Sequence, residues 1–353
     1  MNIMKKHCRE YLYSVISVFS ETIPPFLGIF TLLNLLPAFF YGCSAPEQLH
    51  IPPESSDITV DLTRSPGNIE DLDIFVFRDD RLQKIDCYQK VPDPDLWNRK
   101  VISSYGERFI AVCANSRKGI MEWTEISSFP SLQRLGMSLE DDSIDYPFMS
   151  GMKNINSGQE GQSIDMELSP LSSIVRLHSI CCDFSGRPYA GEKLTDVKVY
   201  LTNVNAECRF FDEKDILPSR IINAGCLREE DMEALPVPSI LYRELSEDIG
   251  QKVIHPGIDL LCYPNNAVTE SPGTPFTRLV IEGKVCGQTY YWPIDINREN
   301  AGKGVVRNES YIYDIRITRK GSLDPDIPAR AEDIEILYKI EKWEERENYK
   351  VIF

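Results

Sequence analysis

Residues 72–77 read Leu72-Asp73-Ile74-Phe75-Val76-Phe77, apolar at every position but Asp73. Successive side chains of a strand point to opposite faces, so a near-continuous apolar run suits a central strand covered on both sides. Arg108 to Ala114 is a second run of this kind. Outward from these two, the pattern changes to strict alternation. Ile58, Val60 and Leu62 alternate with Thr59, Asp61 and Thr63, and Ile164, Met166 and Leu168 alternate with Asp165 and Glu167. Both read as half-buried strands.

Strand character resumes over 174–182 after the break at Pro170, and again at Val197–Leu201, Ile258–Tyr263 and Leu279–Ile281. Gly283-Lys284 is expected to turn the chain back into Val285–Ile294 as a hairpin. Tyr311, Tyr313, Ile315 and Ile317 alternate with Ile312, Asp314, Arg316 and Thr318. Helical spacing is confined to short stretches. Between residues 117 and 139 it is divided by Pro130, which predicts one or two short helices. Between 229 and 244 it is limited by Pro236 and Pro238. Closely spaced strands, few helices and many proline breaks predict an all-β chain of sandwiches with short helical insertions.

Length permits two domains of ordinary size. The break Ser185-Gly186-Arg187-Pro188 divides an N-terminal sandwich, residues 58–184, from a C-terminal sandwich, 185–321. The remainder, 322–353, reads as a strand-forming extension. A turn-rich spacer, Lys320 to Pro328, leads into it, after which Ile334, Ile336, Tyr338 and Ile340 alternate with Glu335, Leu337, Lys339 and Glu341. Such a tail can pair with its own domain. It can also add to a neighbour's sheet, where backbone hydrogen bonds give affinity and alternate side chains set register.

The amino terminus carries a different signal. Lys5, Lys6 and Arg9 precede an apolar run, Ile23 to Tyr41, that ends in Gly42-Cys43. Residues 1–42 read as a lipoprotein signal peptide, with the lipobox Phe40-Tyr41-Gly42-Cys43 and a polar linker, 43–57, behind it. Cys43 is the expected lipidation site, since a thiol readily takes a diacylglyceryl thioether. Acyl chains partition into a bilayer at ~0.8 kcal/mol per buried CH₂, so several chains hold firmly. The alternatives are an uncleaved transmembrane helix, for which the run is about the ~20 residues required, and an ordinary cleaved signal.

Charge narrows the partners. The 353 residues carry a net charge of -16. Removing residues 1–42 deletes three cations and two carboxylates, leaving about -17. That field repels phosphate backbones, so nucleic-acid binding is not expected. Hydrophobic content of 42% permits a packed core. Of the ten cysteines, eight lie beyond Cys43: Cys87, Cys113, Cys181, Cys182, Cys208, Cys226, Cys262 and Cys286. None forms a C-x-x-C pair, and they read as small buried hydrophobes or as a disulfide framework.

Sequence signatures of the common hydrolase, P-loop and dinucleotide sites are missing. Beyond Cys43 the histidines are His50, His178 and His255. His178 lies in a strand-like run and reads as a structural residue. Neither cofactor nor metal is expected, although Asp93-Pro94-Asp95 and Asp324-Pro325-Asp326 are weak candidates for calcium and otherwise solvated turns.

Several of these stretches together resemble the fimbrial subunit families of Bacteroides-type bacteria, above all the fimbrillin-associated anchor proteins. They are the lipobox Gly42-Cys43, the strand Asp71–Phe77, and Phe148-Met149-Ser150-Gly151 followed by Leu171–Leu177. The most specific is Arg307–Thr318 with Gly321 and Asp324–Asp326. The resemblance implies two tandem transthyretin-like Greek-key sandwiches. It implies an outer-membrane lipoprotein, surface-exposed and joined to other fimbrial subunits by strand addition, with no enzymatic activity. Shaft subunits of that family are trimmed by an arginine- or lysine-directed protease, which frees a groove for a donor strand. Here Ser44 to Asp57 holds no Lys or Arg, and Arg64 is the first such residue. That is the pattern of a retained anchor. Asp142-Ser143-Ile144 resembles the O-glycosylation triad of the same bacterial group. A different class, a surface glycan-binding lipoprotein of a nutrient-uptake system, would use exposed aromatics such as Trp97, Trp123 or Trp292. A hydrolase would need a nucleophile–base pair that the sequence does not offer.

Overall fold

A computed structural model describes residues 54–64, 68–92, 100–158, 161–211, 217–298 and 302–343. The signal segment, with Cys43, and the pair Asp93 and Asp95 with Trp97 lie outside those residues. The first half of the described chain runs β1 (Ser55–Arg64), β2 (Leu72–Arg78), β3 (Ile85–Val91), β4 (Lys100–Ser104) and β5 (Gly106–Ala114). Helices α1 (Ile120–Trp123) and α2 (Phe129–Gln133) follow, then β6 (Gly136–Ser138), β7 (Met149–Ser157), β8 (Gln162–Glu167) and β9 (Ser169–Pro170). Pro130 sits in the first turn of α2, where its missing N–H costs nothing.

A five-stranded sheet, β3-β2-β5-β7-β9, faces a three-stranded one, β4-β1-β8. β2 is central and has both faces covered. Leu72, Ile74 and Val76 pack with Ile58, Val60, Val101, Ile110, Val112 and Ile164 between the two sheets. Phe75 and Phe77 point the other way, onto Trp123 of α1 and Phe129 of α2. That double burial is the physical content of the near-continuous apolar run. Asp73 is fully buried among these aromatics and accepts hydrogen bonds from Ser116 Oγ at 2.6 Å and Tyr88 Oη at 2.8 Å.

The second half runs β10 (Ser173–Cys182), β11 (Thr195–Thr202), β12 (Val204–Asn205), β13 (Glu207–Arg209) and β14 (Ile221–Ile222). Helix α3 (Glu229–Ala234) precedes β15 (Tyr242–Glu244), β16 (Ile258–Cys262), β17 (Arg278–Val285), β18 (Gln288–Asp295), β19 (Glu309–Ile317) and β20 (Ile334–Lys342). Two four-stranded sheets result, β16-β10-β19-β20 and β15-β11-β17-β18. Val175, Leu177, Tyr313 and Ile315 from one and Val199, Leu201, Leu279 and Ile281 from the other enter a common core. The fold is thus all-β, built of sandwiched sheets with short helices.

Two expectations shift. The division expected between 184 and 185 does not coincide with the change of sheet partners, which falls between β9 and β10. β10 pairs with β16 and β19 rather than with any strand of the first half. Residues 185–188 form a turn, but one within the second sandwich. The hairpin turn also lies elsewhere. β17 and β18 pair through Val285 and Gln288, so Cys286-Gly287 is the turn rather than Gly283-Lys284. Both turn residues have positive φ, 52° and 80°, as a type I′ hairpin turn demands. Gly283 is instead a packing glycine: a Cβ there would come within 2.6 Å of the Leu194 side chain.

Candidate functional site

The two terminal strands of the described chain, β1 and β20, differ in how they are held. β1 occupies the middle of the sheet β4-β1-β8. It pairs antiparallel with β4 from Ser55 to Thr59 and parallel with β8 from Ile58 onward. Its alternation serves that position: Ile58 and Val60 are fully buried, while Thr59 and Asp61 face outward. The buried Ser56 and Ser157 hydroxyls add a hydrogen bond of 3.0 Å. Arg64 closes the strand, its backbone paired with Glu167. A chain cut after Arg64 would therefore lose a strand with neighbours on both sides.

The carboxyl-terminal segment is bound to the second sandwich at several points. The stretch read as a spacer runs beside β18 and is no free linker. Tyr291 and Ser322 exchange two backbone hydrogen bonds of 2.9 Å, Ala329 N donates to Pro293 O, and Trp292 Nε1 donates to Arg319 O. Gly321 permits this closeness, because a Cβ would lie 2.1 Å from the Tyr291 carbonyl oxygen. Further along, Arg278 is 2% exposed and holds three carboxylates, Glu270 at 2.6 Å, Asp295 at 2.7 Å and Asp326 at 2.6 Å. A buried guanidinium needs such partners, and Asp326 is thereby tied down. The turn Asp324-Pro325-Asp326, a weak calcium candidate and otherwise a solvated turn by sequence, is an arginine-binding turn, in which Asp324 also accepts the Asp326 amide at 2.9 Å.

After this strap, β20 pairs antiparallel along the whole of β19, from Ile317↔Ile334 to Glu309↔Lys342. The tail therefore pairs within its own chain. It forms the outer strand of its sheet, and only Ile334 of the strand is buried. Leu337 is 74% exposed and Ile340 40%. Trp343, just beyond, is buried and donates its amide to Asn308 O.

The other predicted residues fall as follows. Trp123 and Trp292 are 1% and 0% exposed, which removes both from any sugar-binding surface. Their large apolar rings are worth more in the core than outside it. Ser143 is half-buried and its Oγ accepts the amides of Asp145 and Tyr146. Asp142 is buried, and burial pushes its carboxyl up to about 6. The eight cysteines are free thiols, five of them buried, with only Cys286 exposed. Ser179, His178 and Asp314 meet on one surface, but the Ser179 hydroxyl donates to Asp314 and not to the imidazole. They are no nucleophile–base pair. Among the described residues no group of three or more His, Cys, Asp or Glu is arranged to hold a metal, and no helix is long and apolar enough to cross a membrane.

No protein-family model matches the chain, and no curated protein does. Solved structures do. A candidate cell adhesion protein from Bacteroides eggerthii DSM 20697 superposes with a TM-score of 0.60 at 16% identity, covering 83% of this chain and 97% of that one. Fimbrilin from Porphyromonas gingivalis W83 gives 0.57 at 14% identity, over 82% and 97%. The tip fimbrial protein Mfa3 of the same species, truncated at its C-terminus, gives 0.52 at 16%, over 82% and 100%. At such identities the likeness is one of fold.

Proposed function

We propose that this chain is a fimbrial subunit of the anchor or accessory type, tethered to the outer membrane through lipidated Cys43 and joined to other fimbrial subunits by strand pairing. The observation that carries the reading is the fold it shares with a fimbrilin and a tip fimbrial protein over 82% of its length. Two features of the termini support it. β1 fills the middle of its sheet, and no Lys or Arg lies between Ser44 and Asp57 to invite its removal. A tether at Cys43 then stays joined to the folded body. At the other end, β20 is an outer strand whose apolar Leu337 and Ile340 face solvent, and an outer strand is a natural place for pairing with another subunit. The role is mechanical, and no cofactor or metal is assigned to it.

The test has two parts. Labelled palmitate enters the wild-type chain and not Cys43→Ala, and the wild-type chain co-purifies with surface fibres at one end. Palmitate incorporation that persists in Cys43→Ala removes the tether, and fibres that never carry the chain remove the subunit role.

A further inference from the structure

The chain has four histidines, and the described residues contain only two of them, His178 and His255. Those two are in contact, with ring centroids 5.1 Å apart and planes inclined by 60°. Both are exposed, on the outer face of the sheet β16-β10-β19-β20. Their placement is built by the backbone. His178 is the extra residue of a bulge in β10, where pairing with β19 steps from Leu177↔Tyr313 to Ser179↔Asp314. A bulge re-aims a side chain that regular pleating would point elsewhere. His255 follows Ile254, which bonds back to Ile180 of β10 through two backbone hydrogen bonds of 3.0 Å.

The hydrogen bonds determine which nitrogens are free. His178 Nδ1 lies 2.7 Å from Asp314 Oδ1. The Ser179 hydroxyl donates to the same Asp314 Oδ1, so that oxygen stands as an acceptor towards the imidazole. His255 Nδ1 lies 3.2 Å from the His178 carbonyl oxygen, which also can only accept. Each neutral ring therefore carries its proton on Nδ1 and a lone pair on Nε2. A carboxylate or carbonyl behind Nδ1 is the usual support of an imidazole that ligates a metal through Nε2. Spacing agrees: two imidazoles on one tetrahedral ion at ~2.0–2.1 Å have centroids roughly 5 Å apart.

We propose that His178 and His255 form a two-imidazole site for a first-row divalent cation, Zn²⁺ or Cu²⁺ by ligand type. Asp314 is a positioning residue that fixes the His178 ring. The two imidazoles leave the remaining positions of a tetrahedral ion to water or to donors from another surface.

Calorimetric titration of the full chain with Zn²⁺ at neutral pH tests the site. One saturable equivalent is expected. His178→Ala and His255→Ala each weaken it by at least tenfold, and Asp314→Asn, which keeps both rings, weakens it by about 10–100-fold. Because the two rings are exposed, the variants keep their melting curves. As a readout that needs no variant, Zn²⁺ protects both imidazoles of the wild-type chain from acylation, mapped by mass spectrometry. No saturable binding by the wild type, or an affinity unchanged in either alanine variant, overturns the proposal.

Discussion

Asp142 sets charge directly against burial. Its Oδ1 accepts the amides of Ser143 and Phe148, both at 2.9 Å, and so closes the turn that launches β7. The triad Asp142-Ser143-Ile144, which reads as a glycosylation acceptor, therefore has a structural task that its three letters do not reveal. Burial raises the Asp142 carboxyl from 3.8 to about 6, against the lowering pull of the Phe148 and Ser143 amides. The folded chain holds this proton more tightly than the unfolded one. Its contribution to stability is complete below roughly pH 4 and is lost as pH rises through about 6. Wild-type stability minus that of Asp142→Asn should fall across this window by on the order of 2–3 kcal/mol and stay level above it. Paired denaturation curves at several pH values measure the difference, in which the other carboxylates cancel. A difference that is flat with pH contradicts the assignment. The His178–His255 contact lay equally beyond sequence reading, because 77 residues separate the two and no spacing links them.

Strands were legible where one face or both faces are dry. β1, β2, β5, β8, β10 and β19 announce themselves through alternation or through continuous apolar runs. β3 does not: Ile85-Asp86-Cys87-Tyr88-Gln89-Lys90 is partly exposed at every position, so neither period shows. β10 was visible as a strand, yet its sheet was not, since an apolar strand suits either sandwich and only long-range pairing chooses. The strap from Lys320 to Pro328 reads as a free spacer for a related reason. Turn-rich composition describes how a segment bends and says nothing of the backbone groups it bonds. Gly321 shows the difference, and substitution makes it measurable. In Gly321→Ala the new Cβ meets the Tyr291 carbonyl oxygen and the Trp292 ring. Overpacking of this kind costs about 1–3 kcal/mol. Hydrogen exchange should speed up at Ser322 and Ala329 in the variant while β17, in the sheet interior, keeps its protection. Unchanged protection at Ser322 would mean that the strap is not held by β18.

At the scale of the molecule, the two halves are joined by a shared interior. Phe210 is fully buried and stacks on Phe148 at 4.3 Å, with Trp123 at 6.2 Å. Phe211 meets Phe129 at 5.6 Å. Met137 of β6 pairs with Cys208 of β13, and Arg307 reaches across to the carbonyl oxygens of Ser169 and Pro170. One apolar cluster accordingly runs from Phe75 to Trp343. Length and turn signals suggested two tandem sandwiches, but they carry no information about how much core two sandwiches have in common. That sharing has a mechanical consequence: neither half can open without exposing the aromatic side of the other. Calorimetry should give a single unfolding transition for the whole chain. Phe210→Ala should lower it by about 3–5 kcal/mol without splitting it, since the cavity belongs to both halves. Two resolved transitions, of which Phe210→Ala moves only one, would mean that the halves unfold independently and that the contact is incidental.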